Sequence, residues 1–388
     1  MATFPGGLGR AREILAQRFG HGGFRPAQLR VVGPLLAGRD VLAVLPTGAG
    51  KSLCYQLPAL MADGLTLVVS PLISLMQDQV AALRRRGIAA AYLNSLLTPD
   101  HRRVILDATL AGRLRLLYCA PEQLRALVAR LRAAGRRVSL LAIDEAHCIT
   151  EWGNEFRPVY RRLGQFRYLL GDPRTLALTG SATPATRGDI LRVLRTPGAE
   201  VVVASFDRPN LRFTVVRVRD DRERFARIRA LVRCAAGHTI VYAPTRRLTE
   251  LVTRALWLRS LPAAPYHAGL SAELRRHVLR DFLRNRAPVV VATSAFGMGI
   301  DKPDVRCVIH WGPPRTLEGY YQEAGRAGRD GRPSDCLVLW TRADLERGVV
   351  APEVRRYVES HGCRRRMLLE HFGETSVACA GCDQCKGL

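Results

Sequence analysis

The chain has 388 residues, a formal net charge of +25 at pH 7 and a sequence pI near 10.8, and its length allows about two or three domains. No stretch is long and apolar enough to predict a membrane span or the apolar core of a signal peptide, so we expect a cytoplasmic protein (nucleoid-associated if bacterial) with no membrane partner. The charge indicates a polyanionic partner, most simply nucleic acid, although codon bias toward Arg is an alternative because Lys51, Lys302 and Lys386 are the only lysines.

Short runs of Val, Leu and Ile alternate with helical stretches from about residue 24 to residue 203. This alternation predicts a parallel sheet covered by helices on both faces, with functional groups collected at the carboxyl ends of the strands. The predicted strands of this first half are residues 40–45, 65–70, 115–120, 140–144, 176–179 and 201–203.

The first predicted strand runs into a turn of small residues and then into Lys51 and Ser52. Such a turn leaves backbone N–H groups free to cradle phosphates at a helix N-terminus, while Lys51 supplies a point charge and Ser52 a Mg²⁺ ligand. Leu45 stands where the full phosphate-loop pattern has its first Gly. The residues expected to bind nucleotide here are Thr47, Gly48, Gly50, Lys51 and Ser52.

The fourth predicted strand ends in two adjacent carboxylates, Asp144 and Glu145. Asp144 is expected to hold Mg²⁺ together with Ser52, and Glu145 is expected to orient the attacking water. Either motif alone could arise by chance, but both in this order predict a nucleotide hydrolase.

Aromatic side chains follow the acidic pair at Trp152, Phe156 and Tyr160, and Arg157 lies among them. Aromatic rings interleaved with basic groups are typical of surfaces on which the bases of a single strand stack. The alternative is that these rings cap the core. We expect stacking for Trp152 and Phe156 and a core position for Tyr160.

A hinge is predicted at residues 205–210, and a second α/β pattern without a Lys-Ser phosphate loop follows it. Arg326 and Arg329 are spaced so that a helix would present both guanidinium groups on one face. A solvated basic helix is the alternative, but the flanking Gly325 and Gly328 are poor helix formers. We expect the two arginines to reach a phosphate bound by the first domain, coupling closure to hydrolysis.

The predicted strands of this second half are residues 212–217, 238–242, 264–267, 289–293, 307–311 and 336–340.

The ten cysteines form two groups. Without an export signal disulfides are not expected, so the group that crowds the C-terminus predicts a metal site at Cys363, Cys379, Cys382 and Cys385. The others lie in apolar contexts and are predicted to be small buried hydrophobes: Cys54, Cys119, Cys148, Cys234, Cys307 and Cys336.

Residues 144–158, within a pattern that runs from about residue 19 to residue 385, resemble the RecQ-type helicases of superfamily 2. The resemblance implies two RecA-like parallel-sheet domains in tandem, residues 1–205 and 206–342, and then a small helical zinc-binding subdomain, residues 343–388. It implies an ATP-dependent DNA helicase of recombination and repair that moves 3′→5′ on single-stranded and tailed duplex DNA. Its cofactors would be ATP, Mg²⁺ and Zn²⁺, and we expect a monomer.

The resemblance also implies which residues bind adenine and DNA. Residues 19–28 look like the family's adenine-reading motif, in which Gln28 would hydrogen-bond to adenine and Arg25 would stack on it, although His21 stands where relatives often have Tyr. In the family the aromatic-rich loop senses single-stranded DNA and switches on hydrolysis. The residues expected to contact DNA are Ser70, Gln77, Trp152, Phe156, Arg157 and His267.

Further catalytic roles follow from the same resemblance. Residues 179–182 occupy the place of the motif that couples hydrolysis to DNA, and Asp301 would be a further nucleotide contact. Gln322 and Arg326 would act in catalysis beside Arg329, which is the favoured arginine finger.

The C-terminal cysteines are similar to the family's zinc-binding subdomain, with Cys363 expected on a helix beside Arg364, Arg365 and Arg366. Four thiolates suit tetrahedral Zn²⁺; an iron–sulfur cluster is the alternative, and His371 is a further candidate that we expect on the surface. We expect the three arginines to contribute contacts to DNA phosphates.

The sequence ends three residues after Cys385, before the winged-helix and helical accessory domains that relatives commonly carry. We therefore expect robust ATP hydrolysis stimulated by single strands but weak duplex binding. An RNA-remodelling ATPase is the alternative enzyme, and a catalytically silent zinc-containing nucleic-acid binding module is the alternative outside enzymes.

Overall fold

The structure is a computed structural model that describes residues 4–46, 48–150, 158–297, 302–347, 350–375, 378–379 and 381–385. The chain divides into two compact units, Met1–Ser205 and Phe206–Leu388. Among the described residues no helix combines the length and the apolar character needed to cross a membrane.

A parallel sheet forms the centre of the first unit. Its described strands are β1 Val41–Val44, β2 Leu65–Val69, β3 Ala90–Leu93, β4 Leu116–Cys119, β5 Val138–Ile143, β6 Arg174–Thr179 and β7 Glu200–Val203. They are ordered β3-β4-β2-β5-β6-β1-β7, and every pairing is parallel. The central strands are mainly apolar, and all residues of β1, β2 and β5 are buried, as expected for a sheet covered on both faces.

The covering helices of the first unit are α1 Gly7–Phe19, α2 Pro26–Leu36, α3 Leu53–Met61, α4 Ile73–Arg85, α5 Pro99–Leu110, α6 Pro121–Ala133, α7 Leu163–Leu169 and α8 Pro184–Leu194. Short 3₁₀ helices span Ala146–Ile149 and Pro158–Arg162. Several α-helices begin with Pro in the first turn, where its missing N–H costs nothing. The hydroxyls of Thr98 and Thr183 accept hydrogen bonds from the first turns of α5 and α8.

The second unit repeats this architecture. Its described strands are β8 Leu211–Arg217, β9 His238–Tyr242, β10 Ala263–Tyr266, β11 Val289–Ala292, β12 Val305–His310 and β13 Ser334–Trp340, in the parallel order β10-β11-β9-β12-β13-β8. The helices are α9 Asp221–Cys234, α10 Arg246–Trp257, α11 Ala272–Leu283, α12 Leu317–Ala324, α13 Arg342–Arg347, α14 Pro352–Glu359 and α15 Arg364–His371. Side-chain caps from Asp220, Thr245, Ser271 and Thr316 mark where α9 to α12 begin.

Apolar burial holds each sheet to its helices. Ile240, Val291 and Val308 in the second sheet are fully buried, as are Leu67 and Leu140 in the first. Each such side chain contributes about 1.5–3 kcal/mol relative to an exposed position, before the entropy of ordering it is subtracted.

The α/β class with two parallel sheets and a helical C-terminal region is confirmed. Every predicted strand is present to within a few residues, and β3 is a further strand that was not predicted. This edge strand is Ala-Ala-Tyr-Leu, which lacks the β-branched residues that make a strand recognisable.

Two local expectations were wrong. Helix α12 ends at Ala324 and Gly325 is its C-terminal cap, so Arg326 and Arg329 lie in turns and not on one helix face. Gly328 has φ +55°, a left-handed conformation that favours glycine and is incompatible with a continuing helix. Cys234, expected in the core, is exposed at the end of α9, whereas the other five scattered cysteines are buried.

Candidate nucleotide site and cysteine cluster

The phosphate loop joins β1 to α3 in the first unit. Gly48 and Gly50 have φ values of +85° and +79°, which turn the backbone as no other residue type does without strain. Ser52 immediately precedes α3, and the Lys51 ammonium donates to the carbonyl of Leu45 at 3.3 Å. The predicted strand, turn and helix are therefore present; Thr47 lies outside the described residues.

Asp144 follows β5 and is buried beside three other polar groups. The Ser70 hydroxyl, at the end of the neighbouring β2, donates to its Oδ2 at 3.4 Å. Burial and then the Glu145 carboxylate raise the pKa of Asp144 to about 7, and Lys51 and Ser70 act in the opposite direction. A carboxylate desolvated in this way is stabilised as an anion by a nearby cation, which suits a Mg²⁺ ligand.

Glu145 has a backbone conformation that is rare outside glycine. Its φ is 49°, in the left-handed region, where a residue of this type stores about 1–3 kcal/mol. The strain turns the chain sharply after β5 into the 3₁₀ helix Ala146–Ile149. Tyr160 is fully buried and its hydroxyl donates to the carbonyl of Asp144 at 3.1 Å, so its predicted core position is confirmed.

His147 connects the acidic pair to the end of strand β6. Its Nδ1 lies 2.8 Å from the Thr179 hydroxyl and 3.4 Å from the Glu145 carboxylate. His147 lies within residues 144–158, which carry the family resemblance, but no role was predicted for it. Its position directly after two carboxylates, with a Thr at the end of a neighbouring strand, was the signal that could have identified it.

Arg25 and Gln28, the expected adenine contacts, both bind the phosphate loop. The Arg25 guanidinium donates to the carbonyl of Gly48, and the Gln28 amide donates to the carbonyl of Gly50 at 3.2 Å. The Gln28 amide oxygen accepts from the backbone N–H of Arg25 at 2.9 Å. Adenine recognition by these two side chains stays a prediction.

The residues expected to contact DNA do not share one environment. Gln77 is exposed on α4. Ser70 and His267 are buried, with 1% and 3% of their surface exposed, and His267 pairs with Glu250 at 3.2 Å. Ser70 bonds to Asp144 and His267 to Glu250 in this structure, and DNA contact by either side chain stays a prediction. Trp152, Phe156 and Arg157 lie outside the described residues.

The second unit carries the arginine segment, residues 325–329. Arg326 is buried and bonds to the hydroxyl of Tyr242, while Arg329 and Gln322 are partly exposed. The Tyr242 hydroxyl in turn donates to the carbonyl of Phe296 at 2.7 Å. Asp301 lies outside the described residues.

The four C-terminal cysteines converge, with Cys363 at the start of α15 and the other three in the segment that follows the helix. All four Sγ atoms lie within 4.8 Å of one another, and those of Cys363 and Cys382 are 4.0 Å apart. Thiolates around a tetrahedral Zn²⁺ are about 3.8 Å apart, so the cluster fits a four-thiolate metal. Burial opposes ionisation of Cys382, but the N–H groups of Gln384 and Arg364 lower the pKa of its thiol to about 7. Cys363 caps α15 and does not lie within it.

Two of the three arginines beside the cysteine cluster are buried and stabilise the fold. Arg364 and Arg365 are 3% and 2% exposed, and they form ion pairs with Asp383 and Asp207. The expectation that they contact DNA phosphates was wrong; only Arg366 of the three is exposed. His371 bonds to Glu318 at 2.9 Å and is not part of the cysteine cluster.

Comparison with known proteins gives three family matches along the chain. Residues 25–190 match the DEAD/DEAH box helicases, residues 223–331 the helicase conserved C-terminal domain and residues 350–386 the RecQ zinc-binding domain. The ATP-dependent DNA helicase RecQ of Bacillus subtilis is 40% identical over 97% of this chain and 67% of that protein. The chain belongs to the RecQ family.

Two further relatives support the assignment. The ATP-dependent DNA helicase RecQ of Haemophilus influenzae is 41% identical over 97% of this chain and 63% of its own length. The probable ATP-dependent DNA helicase RecS of Bacillus subtilis is 43% identical over 87% of this chain and 68% of that protein. The chain thus spans less than two thirds of the length of some of its RecQ relatives.

Solved helicase structures have the same fold. Mycobacterium smegmatis Lhr, bound to single-stranded DNA and AMP-PNP, superposes with a TM-score of 0.68 and 26% identity over 91% of this chain and 50% of that one. The DUF1998 helicase MrfA, bound to DNA, gives a TM-score of 0.72 with 19% identity over 95% of this chain and 54% of that one, a likeness of fold alone.

Proposed function

We propose that the protein is an ATP-dependent DNA helicase that couples ATP hydrolysis to 3′→5′ movement on single-stranded DNA and to duplex unwinding in recombination and repair. The observation that carries the proposal is the group formed by Lys51, Ser70, Asp144, Glu145 and His147 at the carboxyl edge of the first sheet. A binding module that does not hydrolyse ATP would not need a buried carboxylate, Asp144, next to a second carboxylate whose backbone is strained, Glu145.

Each side chain has a proposed part in the reaction. Lys51 and the N–H groups of the phosphate loop bind the β- and γ-phosphates. Ser52 and Asp144 would hold Mg²⁺, which offsets the phosphate charge when it is bound. Glu145 accepts a hydrogen bond from the attacking water and orients it toward the γ-phosphate. Gln322, Arg326 and Arg329 contribute to turnover, with Arg329 stabilising the charge that develops.

We propose that Gln77 and the segment containing Trp152, Phe156 and Arg157 contact the single strand. The exposure of Gln77 supports this role, and Lhr of Mycobacterium smegmatis has been solved with single-stranded DNA. Stacking on Trp152 and Phe156 would order the chain next to Asp144 and Glu145, and so link strand binding to hydrolysis.

We further propose a domain division at residues 1–205, 206–342 and 343–388, with zinc bound by Cys363, Cys379, Cys382 and Cys385. The break between Ser205 and Phe206 supports the first boundary, and the match of residues 350–386 to RecQ zinc-binding domains supports the last part. Four mutually close sulfurs with no described histidine among them favour a thiolate metal site.

ATP hydrolysis measured with single-stranded DNA, blunt duplex DNA and single-stranded RNA tests the proposal. We expect single-stranded DNA to stimulate hydrolysis most. A mimivirus relative named as a putative ATP-dependent RNA helicase is 37% identical over 98% of this chain, which makes RNA the second candidate. Stimulation by RNA above that by DNA would favour an RNA-remodelling ATPase, and no hydrolysis under any condition would leave only a binding role.

A further inference from the structure

The side chain of Arg208 bonds to the backbone of the arginine segment. The Arg208 guanidinium donates to the carbonyls of Gly325, Ala327 and Gly328, at 3.4, 3.1 and 2.8 Å. Carbonyls at the end of a helix point away from its hydrogen-bond ladder and carry partial negative charge, so a guanidinium there satisfies and stabilises them. Gly325 and Ala327 flank Arg326, and Gly328 directly precedes Arg329. Arg208 therefore sets the path of the backbone from which both arginines project.

Asn210, two residues after Arg208, also bonds to the arginine segment. Its amide donates to the carbonyls of Gly328 and Arg332, at 2.8 and 3.0 Å. A Cβ on Gly328 would lie only 2.4 Å from that amide nitrogen, and the φ of Gly328 is already +55°. Arg208 and Asn210 are thus in close contact with the arginine segment, and Gly328 has no space for a side chain.

Arg208 is itself placed by the helix that begins at the cysteine cluster. Arg365 of α15 donates to the carbonyls of Arg208 and Leu211, at 2.8 and 2.6 Å, and pairs with Asp207. The ring of Phe206 stacks on Phe372 at 4.4 Å. A continuous set of contacts therefore runs from Cys363, the cap of α15, through Arg365 to Arg208 and the arginine segment.

We propose that Arg208 is a positioning residue for Arg326 and Arg329, held in place by Arg365 from the cysteine-cluster helix. The inference rests on the proposed role of the arginine segment in ATP turnover. A misplacement of a catalytic group by about 1 Å can cost on the order of 10²-fold in rate. The planar fork of Arg208 reaches the three carbonyls from two nitrogens in a fixed geometry, which the compact ammonium of a lysine on its flexible chain does not reproduce.

The test compares kcat and KM for ATP, with saturating single-stranded DNA, in wild type, Arg208→Ala and Arg208→Lys. We expect kcat to fall on the order of 10²-fold in Arg208→Ala and less in Arg208→Lys, with KM within about 2-fold. The matched control is Arg212→Ala, which removes an exposed arginine on β8 paired with Asp335 at 2.7 Å and should keep wild-type turnover. A wild-type kcat in Arg208→Ala would overturn the proposal.

A double variant separates positioning from general support of the fold. If Arg208 acts through Arg329, Arg208→Ala/Arg329→Ala should be no slower than Arg329→Ala alone, whereas independent effects would multiply and contradict the proposal. Wild-type turnover in Arg329→Ala would instead remove the proposed role of the segment itself. If thermal unfolding shows that Arg208→Ala does not fold, Arg208→Lys and Asn210→Ala decide: reduced kcat at normal KM supports the inference, and wild-type kcat in both overturns it.

Discussion

Asp144 and Glu145 are adjacent carboxylates in different surroundings. Asp144 is buried, bonded to Ser70 and has a raised pKa, whereas Glu145 is partly exposed and has a strained backbone. Asp144, which is buried near Lys51, is suited to bind a cation. Glu145, which is partly exposed beside it, is suited to contact water. The two acids therefore have separate tasks in the proposed reaction, and single substitutions should distinguish them.

Lys51→Ala and Glu145→Gln should both abolish turnover, but for different reasons. Loss of Lys51 removes charge from the phosphate site and should weaken nucleotide binding by at least about 10-fold, whereas Glu145→Gln should bind normally and not hydrolyse. Fluorescent-nucleotide titration and single-turnover hydrolysis measure the two effects. The control is Glu13→Gln, the same change at an exposed glutamate paired with Arg10. Near-wild-type hydrolysis by Glu145→Gln would show that its assigned role is wrong.

His147 should transmit strand binding to the acids because it contacts both Thr179 and Glu145. We expect His147→Ala and Thr179→Ala each to reduce DNA-stimulated hydrolysis by about 10-fold or more, with little added loss in the double variant, since both remove one contact. ATPase titrations against single-stranded DNA measure this. If the losses of the two single variants multiply in the double variant, the His147–Thr179 contact does not link strand binding to hydrolysis.

At the scale of single elements, α15 shows how a basic run can serve the fold. Arg364 and Arg365 point inward and hold Tyr357, Asp383, Asp207 and the start of β8, while their neighbour Arg366 is exposed. The segment after α15 also joins the edge of β8, where the Asp383 N–H donates to the carbonyl of Phe213 at 3.2 Å. The helix therefore attaches the cysteine cluster to the second sheet.

Arg365→Ala should destabilise the second unit by about 3 kcal/mol, because it leaves Asp207 without this ion pair and two carbonyls without their donor. Arg366→Ala, one residue along the same helix, should change stability by less than about 0.5 kcal/mol. Denaturant unfolding followed by tryptophan fluorescence compares them, since Trp311 and Trp340 lie in this unit. Equal effects of the two substitutions would mean that burial of Arg365 contributes nothing.

The cysteine cluster should hold one zinc ion per chain and give no visible absorbance. The C-terminal segment is too short to bury a core of its own, so metal binding must supply much of its folding energy. Metal analysis by mass spectrometry and protection from limited proteolysis, before and after chelation, measure both points; chelation should expose the region after α15. A brown protein with iron and acid-labile sulfide would support the alternative of an iron–sulfur cluster.

At the scale of the whole molecule, the sequence predicted what depends on local pattern. Both sheets, the phosphate loop and the acidic pair were predictable, because buried parallel strands are continuous apolar runs whose carboxyl ends carry the polar residues. The pairing of Arg365 with Asp207 and of His147 with Thr179 was not, because each joins residues far apart in sequence. The turn at Arg326 and Arg329 was missed because spacing alone does not show where a helix ends, although Gly325 and Gly328 indicated it.

Unwinding of a 3′-tailed DNA duplex, beside the same duplex with a 5′ tail, tests the central claim most directly. The wild-type protein should separate the 3′-tailed duplex only when ATP and Mg²⁺ are present, and it should leave the 5′-tailed duplex intact. Glu145→Gln should bind both substrates and unwind neither. Unwinding without ATP, or equal unwinding by Glu145→Gln, would contradict the account of an ATP-driven motor whose hydrolytic site is formed by Lys51, Asp144 and Glu145.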